Sequence, residues 1–349
     1  MPPSAPIPYA DDVEVPPRDE FSDVLRIINA VRKLLRLSRE RTGRFQSDVH
    51  VKTHGCAMGE FRVLPNLPHI LAQGLFATER TYPALVRFSN SASQPQADLL
   101  PDGRGLALKV LDVEGDLLSP ESKRPCQVFL MVNNPVFVAR NVKEFLRLEE
   151  LLIDAHGNPF LIATEGLTGG AWNPLRWHWR ETLTVLQIAG QLPEHPASNT
   201  YFSMVPIRFG HYVAKYRLRP AGEVRGAYAE VIARLSTQPD ALRRMLEETL
   251  RAQQILFEFQ VQLRTSADTM PVEDATVEWP ERESPFQTVA LLLLPRQEID
   301  TPGRKAACQN LSFDAWNALV DHRPLGGINR LRRAVYPISA QWRSRGREA

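Results

Sequence analysis

Hydrophobic and polar positions recur along this chain at two spacings, one helical and one typical of strands. From Asp19, apolar residues return every three or four positions, which predicts an amphipathic helix to about Glu40. Good helix formers over Asp240–Gln254 predict a second helix. The apolar positions of the first helix are Phe21, Val24, Leu25, Ile28, Val31, Leu34 and Leu35.

Alternation with a period of two predicts several half-buried strands. One such stretch precedes Gly55, and we expect the glycine to end the strand directly after His54. In Ala84–Asn90 the alternation places Arg87 and Ser89 on one face of the strand. Further strands are predicted within Val128–Phe137, 200–219 and Ile255–Leu263.

Composition narrows the class of protein. The 349 residues are 43% hydrophobic, enough for one large core, and the net charge of +2 gives no electrostatic case for binding nucleic acid. No stretch reaches the roughly 20 apolar residues that span a bilayer, and the proline-rich, acidic N-terminus is unlike a secretion signal. The odd count of cysteines (Cys56, Cys126 and Cys308) argues against a disulfide framework and for a reducing, cytoplasmic compartment.

The stretch Leu331–Arg343 carries the first candidate chemistry. In a helix, Arg332 and Tyr336 share a face, and Arg343 follows two turns later on nearly the same face. A guanidinium beside a phenol lowers the pKa of the phenol below its usual value of about 10, and a phenolate is a good ligand for ferric iron.

Several segments resemble catalases. Arg332-x-x-x-Tyr336-Pro337 resembles their proximal helix, and Thr53-His54-Gly55 resembles the segment of their distal histidine. Val86-Arg-Phe-Ser89 resembles the strand whose arginine binds a haem propionate and whose serine holds the distal histidine, which implies these roles for Arg87 and Ser89. Asp102–Val110 is similar to a catalase hairpin, with Gly103 in place of a proline.

The resemblance extends through the segment that follows the strand at Val128. Asn133-Asn134-Pro135 is one residue shorter than the corresponding catalase loop, which implies Asn133 as the distal amide, with Asn134 as the alternative. Phe137 and Phe145 take the positions of two phenylalanines near the haem. The stretch with Trp172, Trp177 and Trp179 is the poorest match, and we interpret these tryptophans as core or dimer contacts.

The resemblance implies an α+β fold: a closed antiparallel β-barrel of about eight strands, with helices around it and haem b buried between the barrel and the proximal helix. Residues 1–45 would form an N-terminal arm and helix, and residues 46–349 a single haem domain. Tyr336 would bind the ferric iron, and Arg332, Arg343 and Arg87 would hold the cofactor.

The sequence also departs from catalases. It ends soon after the proximal helix, as the short catalase-related peroxidases do, and Val51 replaces one propionate arginine. Thr53 stands where catalases have valine, a feature shared with the catalase-fold allene oxide synthases. A hydroxyl beside the distal imidazole would compete for its hydrogen bonds and hinder dismutation of hydrogen peroxide.

We therefore expect a haem peroxidase that reduces small-molecule or lipid hydroperoxides with a small reductant. His54 would move the proton, held in orientation by Ser89 and flanked by the Thr53 hydroxyl, and Asn133 would stabilise the developing charge. The alternatives are a dehydratase or isomerase of fatty-acid hydroperoxides and a non-catalytic haem-binding protein. We expect a homo-oligomer, with a dimer favoured, and neither a nucleic-acid nor a membrane partner.

Overall fold

One antiparallel sheet of nine strands closes on itself. A computed structural model of the chain describes residues 5–42, 52–91, 96–100, 102–119, 124–154, 168, 173, 193–222 and 228–345. The strands are β1 (Thr53–Val63), β2 (Thr81–Asn90), β3 (Arg104–Leu111), β4 (Cys126–Val132), β5 (Tyr201–Phe202), β6 (Ile207–Phe209), β7 (Tyr212–Pro220), β8 (Ile255–Leu263) and β9 (Gln287–Leu294).

The strand order explains the closure. Neighbours run β5-β4-β3-β2-β1-β9-β8-β7, and β5 pairs again with β7, so eight strands complete a barrel. The short β6 pairs with the edge of β7 that also carries β5. The expected closed antiparallel barrel of about eight strands, with helices around it, is confirmed.

The barrel interior is filled by the apolar side chains that alternate along the strands. In β8, the residues Ile255, Phe257, Phe259, Val261 and Leu263 are each at most 3% exposed, as their spacing predicted. Phe259 contacts the rings of Phe61, Phe76, Phe129 and Tyr216, with centroids 4.8 to 5.6 Å apart. Truncation of one such buried phenylalanine to alanine would cost about 3–5 kcal/mol.

Six described helices accompany the barrel. They are α1 (Glu20–Thr42), α2 (Val142–Asp154), α3 (Tyr228–Thr237), α4 (Ala241–Ala252), α5 (Pro302–Asn310) and α6 (Gly327–Arg345), with short 3₁₀ turns at Asp11–Val13, Gly74–Phe76 and Val320–His322. In the described part of the chain, none of the helices has the length and apolarity needed to cross a membrane.

Helices α1, α2 and α6 share one apolar cluster. Its buried members are Val24, Ile27, Val31, Val142, Leu146, Leu331 and Val335. The predicted apolar face of α1 was wrong in part: Phe21 and Leu25 are 74% and 46% exposed, whereas Ile27 is fully buried. The apolar faces of α2 and α6 both pack against α1, and their positions determine that the side of α1 containing Ile27 is buried.

The start of α6 is fixed by a glycine and an ionic cluster. Gly326 has φ of +84°, and a Cβ there would lie 2.6 Å from the carbonyl oxygen of Val272, so both its conformation and its space require glycine. Four residues later, the guanidinium of Arg330 binds the carboxylates of Glu14, Glu20 and Glu273 at 2.6 to 2.9 Å. These contacts orient the helix that carries Arg332 and Tyr336.

The structure corrects the predicted strand boundary at His54. Strand β1 does not end at His54 but continues through Gly55 to Val63. The glycine serves packing, because a Cβ at Gly55 would lie 2.7 Å from Cδ1 of Ile299 and 3.5 Å from Cδ2 of Leu246.

A second correction concerns the cysteines. Cys56 in β1 and Cys308 in α5 form a disulfide, with Cα atoms 5.7 Å apart, and Cys126 is buried outside this disulfide. The two bonded cysteines are 252 positions apart, so only the packing of α5 beside β1 reveals the pair. The inference from an odd cysteine count to a reducing compartment therefore does not hold.

Candidate functional site

His54 lies at a register irregularity near the start of β1. Thr53 is paired with Ser89 and Gly55 with Phe88, so His54 is the extra residue of a bulge between β1 and β2. Bulges of this kind redirect a side chain. The imidazole is 1% exposed, and its Nε2 lies 2.6 Å from Oδ1 of Asn90, the last residue of β2.

Arg104 determines the tautomer of His54. Its Nη1 donates to the same Oδ1 of Asn90 at 2.7 Å, and a guanidinium can only donate. The atom that Asn90 presents is therefore its carbonyl oxygen, and Nε2 of His54 must also be a donor to it. In the neutral imidazole this leaves Nδ1 with the lone pair, and Nδ1 is buried with no hydrogen-bond partner in the described part of the chain.

The imidazole is neutral at physiological pH. Burial lowers the pKa of His54 from 6.5 to about 4, opposed by the negative charge of Asp98 and reinforced by the positive charge of Arg104. A neutral His54 with Nδ1 unprotonated can accept a proton from an acidic group that enters the site.

A buried ionic network supports the Asn90–Arg104 pair. Asp98 is fully buried, and its Oδ1 lies 2.8 Å from Nζ of Lys52, while its Oδ2 accepts from the backbone N–H of Leu242. Leu242 lies in the first turn of α4, where a carboxylate is favoured by the helix dipole. Arg104 Nη2 donates to the backbone oxygen of Asp98 at 3.0 Å, which fixes the guanidinium from a second side.

Thr53 and Arg87 form a separate contact between β1 and β2. Nη2 of Arg87 donates to Oγ1 of Thr53 at 2.7 Å, and Nη2 of Arg243 donates to the backbone oxygen of Thr53. The Thr53 oxygen thus holds the candidate propionate arginine, whereas the sequence led us to expect it at the imidazole. Ser89, the expected partner of the imidazole, is buried and is paired with Thr53 in the sheet register. The described hydrogen bond of His54 is to Asn90.

The two candidate amides differ in their contacts. Oδ1 of Asn133 accepts from the backbone N–H of Arg104 at 2.7 Å, and its Nδ2 donates to Asn199 at 3.3 Å. Asn133 is therefore joined to the His54 network through Arg104. Asn134 is fully buried, with its Nδ2 directed at the backbone oxygen of Val136 at 2.6 Å. These contacts connect Asn133 to the residues around His54, and its role as the distal amide stays a prediction.

The remaining candidates gather at α6. The rings of Phe137 and Phe145 are 5.6 Å apart, and the guanidinium of Arg332 lies 6.0 Å from the Phe137 ring. Tyr336 is half-buried one turn after Arg332. Burial raises the pKa of the Tyr216 phenol, Arg332 acts to lower it and Tyr336 to raise it, so both α6 residues interact electrostatically with Tyr216.

The segment 133–137 joins the two groups of residues. At one end Asn133 binds Arg104 of the His54 network, and at the other Phe137 contacts Arg332. Val51, the side chain of Arg343, and Trp172, Trp177 and Trp179 lie outside the described residues.

These side chains suit haem b. A half-buried phenol with an arginine one turn before it is a donor set for ferric iron, and the adjacent rings of Phe137 and Phe145, tilted by 40°, offer an apolar wall. A buried imidazole nitrogen with no partner in the described chain suits a ligand that enters from outside. Among the described residues, no three His, Cys, Asp or Glu side chains converge as metal ligands would.

Sequence reasoning missed two residues of the network. Asn90 ended a strand that had been identified, and Arg104 lay in a hairpin that had been matched, but neither was assigned a role. The available signal was a polar residue, Asn90, at the end of an apolar strand, with Arg104 following 14 positions later. Its meaning depended on the pairing of β2 with β3, which places Asn90 opposite Arg104.

The barrel is similar to those of solved catalases. A fungal catalase matches with a TM-score of 0.66 at 17% identity, catalase A from Saccharomyces cerevisiae with 0.67 at 17%, and a bacterial catalase with 0.61 at 18%. These matches cover 88 to 90% of this chain but only 60 to 63% of the catalases. No protein-family model and no curated protein matches the sequence. At this identity the likeness shows the fold, and the fold is that of catalases.

Proposed function

We propose that this chain is a haem-dependent peroxidase that cleaves the O–O bond of organic hydroperoxides and oxidises a second, small donor. The observation that carries the proposal is the state of His54: buried, neutral, held at Nε2 and without a described protein partner at Nδ1. A structural histidine in an apolar core satisfies both nitrogens as a rule.

The proximal half of the proposed site belongs to α6. Tyr336 would bind the iron through its phenolate, with Arg332 favouring the ionised form. Arg87 and Arg343 would bind the propionates, and Phe137 and Phe145 would lie against the ring. When bound, ferric haem supplies the two-electron redox chemistry that breaks the O–O bond.

The distal half manages the proton. Nδ1 of His54 accepts the hydroperoxide proton, and the same nitrogen returns it to the oxygen that leaves as the alcohol. The bond from Nε2 to Asn90 keeps Nδ1 as the acceptor throughout, because Arg104 holds Oδ1 of Asn90 in place. Asn133 donates a hydrogen bond to the charge that develops on the peroxide.

Replacement of Tyr336 tests the cofactor assignment. Tyr336→Phe removes the proposed ligand, so the purified variant should lose most of its haem or show a changed ferric spectrum. Tyr212→Phe is a matched control, since this tyrosine is also half-buried but lies on β7. An unchanged spectrum at full occupancy in Tyr336→Phe would overturn the assignment.

Product analysis tests the reaction. The holoprotein is mixed with hydrogen peroxide, a small alkyl hydroperoxide or a fatty-acid hydroperoxide, each with and without a phenolic donor. Alcohol formed only with the donor supports the peroxidase. A rearranged lipid product without a donor supports the dehydratase or isomerase, and rapid oxygen release supports a catalase. If the protein binds haem stably but turns over none of these peroxides, the result supports a non-catalytic haem-binding protein.

A further inference from the structure

The Cys56–Cys308 disulfide joins β1 to α5 close to the candidate base. Cys56 lies two residues after His54 on the same strand, and Cys308 lies near the end of α5. The neighbouring strand also pairs there, with Arg87 as the register partner of Cys56. The disulfide therefore lies beside residues of the site but outside the hydrogen-bond network of His54.

Helix α5 has little else to hold it on the barrel. Of its described side chains, residues 302–308, only Cys308 is buried and only Arg304 is partly buried. Arg304 donates to Oε1 of Gln297 at 2.8 Å, and Gln297 in turn bonds both backbone groups of Met58. A nine-residue helix with so small a buried face is marginal on its own.

Three arginines lie on the elements that carry or flank the two sulfur atoms. Arg87 is the cross-strand neighbour of Cys56, and Arg304 precedes Cys308 by one helical turn. Arg243 approaches from α4 and binds the backbone oxygen of Thr53. Guanidinium groups near a thiol stabilise its thiolate, which is the form that reacts with peroxides and disulfides.

We propose that Cys56 and Cys308 are a redox-active pair, oxidised to the disulfide by hydroperoxides and reduced by small dithiols, and that the disulfide locks α5 onto β1. The activity is separate from the proposed haem chemistry, because the sulfur atoms themselves supply both electrons. It adds a second, thiol-based reaction with the same class of oxidant.

The reaction balances without another reactant. The thiolate of Cys56, the more exposed of the two, attacks the terminal oxygen of the hydroperoxide; an S–O bond forms, the O–O bond breaks and the alcohol leaves with a proton. The thiolate of Cys308 then attacks this sulfur, and water leaves as the S–S bond forms. Two thiols are oxidised, and one hydroperoxide is reduced to alcohol and water.

Thiol counting in the full chain tests the chemistry. The protein is reduced with dithiothreitol, freed of it, and treated with stoichiometric cumene hydroperoxide before free thiols are titrated. We expect a fall from three thiols to one, and recovery of the Cys56–Cys308 peptide pair by mass spectrometry. Cys126→Ser should still lose two thiols, because Cys126 is not part of the disulfide. Cys56→Ser and Cys308→Ser should form no disulfide.

Under the same treatment, Tyr336→Phe should still form the disulfide, so the thiol reaction and the haem proposal can fail separately.

Amide hydrogen exchange provides the second readout. Exchange in α5 should be roughly tenfold or more faster after reduction, and equally fast in Cys308→Ala under either condition. The proposal is overturned if the reduced pair survives hydroperoxide, or if exchange in α5 is the same in the oxidised and reduced chains.

Discussion

Replacing Asn90 with aspartate tests the hydrogen bond that defines the candidate base. Asp would keep an acceptor for both Nε2 of His54 and Nη1 of Arg104, which lie 2.6 and 2.7 Å from Oδ1 of Asn90. The new negative charge favours the imidazolium, so the pKa of His54 rises. Nearby opposite charges shift pKa values by about 1–3 units, and Arg104 shares this carboxylate, so a rise of about two units from the present value of about 4 is expected.

The rise has a measurable consequence for activity. His54 must be neutral to accept the peroxide proton, so kcat/KM falls on the acid side of its pKa. At pH 5 a group with a pKa of about 4 is about 90% neutral, whereas one with a pKa of about 6 is about 10% neutral. The variant should therefore be about tenfold slower at pH 5 than at its own plateau, while the wild type loses little.

The assay is the rate of hydroperoxide cleavage, measured by stopped flow from about pH 4 to pH 7, where kcat/KM falls with decreasing pH (the acid limb of the pH profile). Circular dichroism checks the folded fraction at each pH. Asn199→Asp is the matched control, since it makes the same change on the Asn133 side and has no described bond to His54. An acid limb that stays at the wild-type position in Asn90→Asp would mean that His54 is not the titrating base, or that Asn90 does not hold it.

Three further predictions concern binding and stability. Thr53→Val removes a hydrogen-bond acceptor of Arg87, so haem affinity should fall several-fold, consistent with roughly 1–2 kcal/mol, while oxygen release from hydrogen peroxide is unchanged. Increased oxygen release would instead support the interpretation that the Thr53 hydroxyl restrains His54. Arg330→Met removes the cation shared by Glu20, Glu273 and Glu14, of which Glu14 keeps Arg323. The change should cost about 2–4 kcal/mol in urea unfolding, against at most about 1 kcal/mol for the exposed Arg26→Met. Burial lowers the pKa values of His54, His195 and His322 to about 4, so the unfolded chain binds more protons than the folded chain below pH 6.5. The contribution of these histidines to stability should be fully present above pH 6.5 and should fall towards pH 4 by up to about 4 kcal/mol per pH unit. A free energy of unfolding that does not change over this range would contradict their burial as neutral groups.

The fold could be predicted where one physical signal dominated. Strand β8 was predicted with its observed bounds, because alternation is strong when one face fills a barrel. Helix α1 was predicted within two residues at its C-terminal end, but not which stripe it buries. That stripe depends on the positions of α2 and α6, which local spacing does not contain.

The candidate site divides in the same way. Residues placed by local pattern, such as the one-turn spacing of Arg332 and Tyr336, could be found in the sequence. Contacts between distant segments could not, and these include the bond of His54 to Asn90, the bond of Thr53 to Arg87 and the Cys56–Cys308 disulfide. Strand register decides the first two, and a bulge at His54 changes that register by one residue.

The N-terminal residues also acquire a role that their composition did not suggest. Residues 1–45 were expected to form an N-terminal arm and helix, without a role in the site. In the structure Glu14 of this arm binds Arg330, accepts from the N–H of Gly326 and pairs with Arg323. The distal residues are fixed by the barrel, but the position of Tyr336 depends on how α6 is held at its start. A carboxylate at the positive end of that helix, shared with Arg330, stabilises one orientation of the helix. The arm therefore helps to set the position of the proposed iron ligand relative to His54.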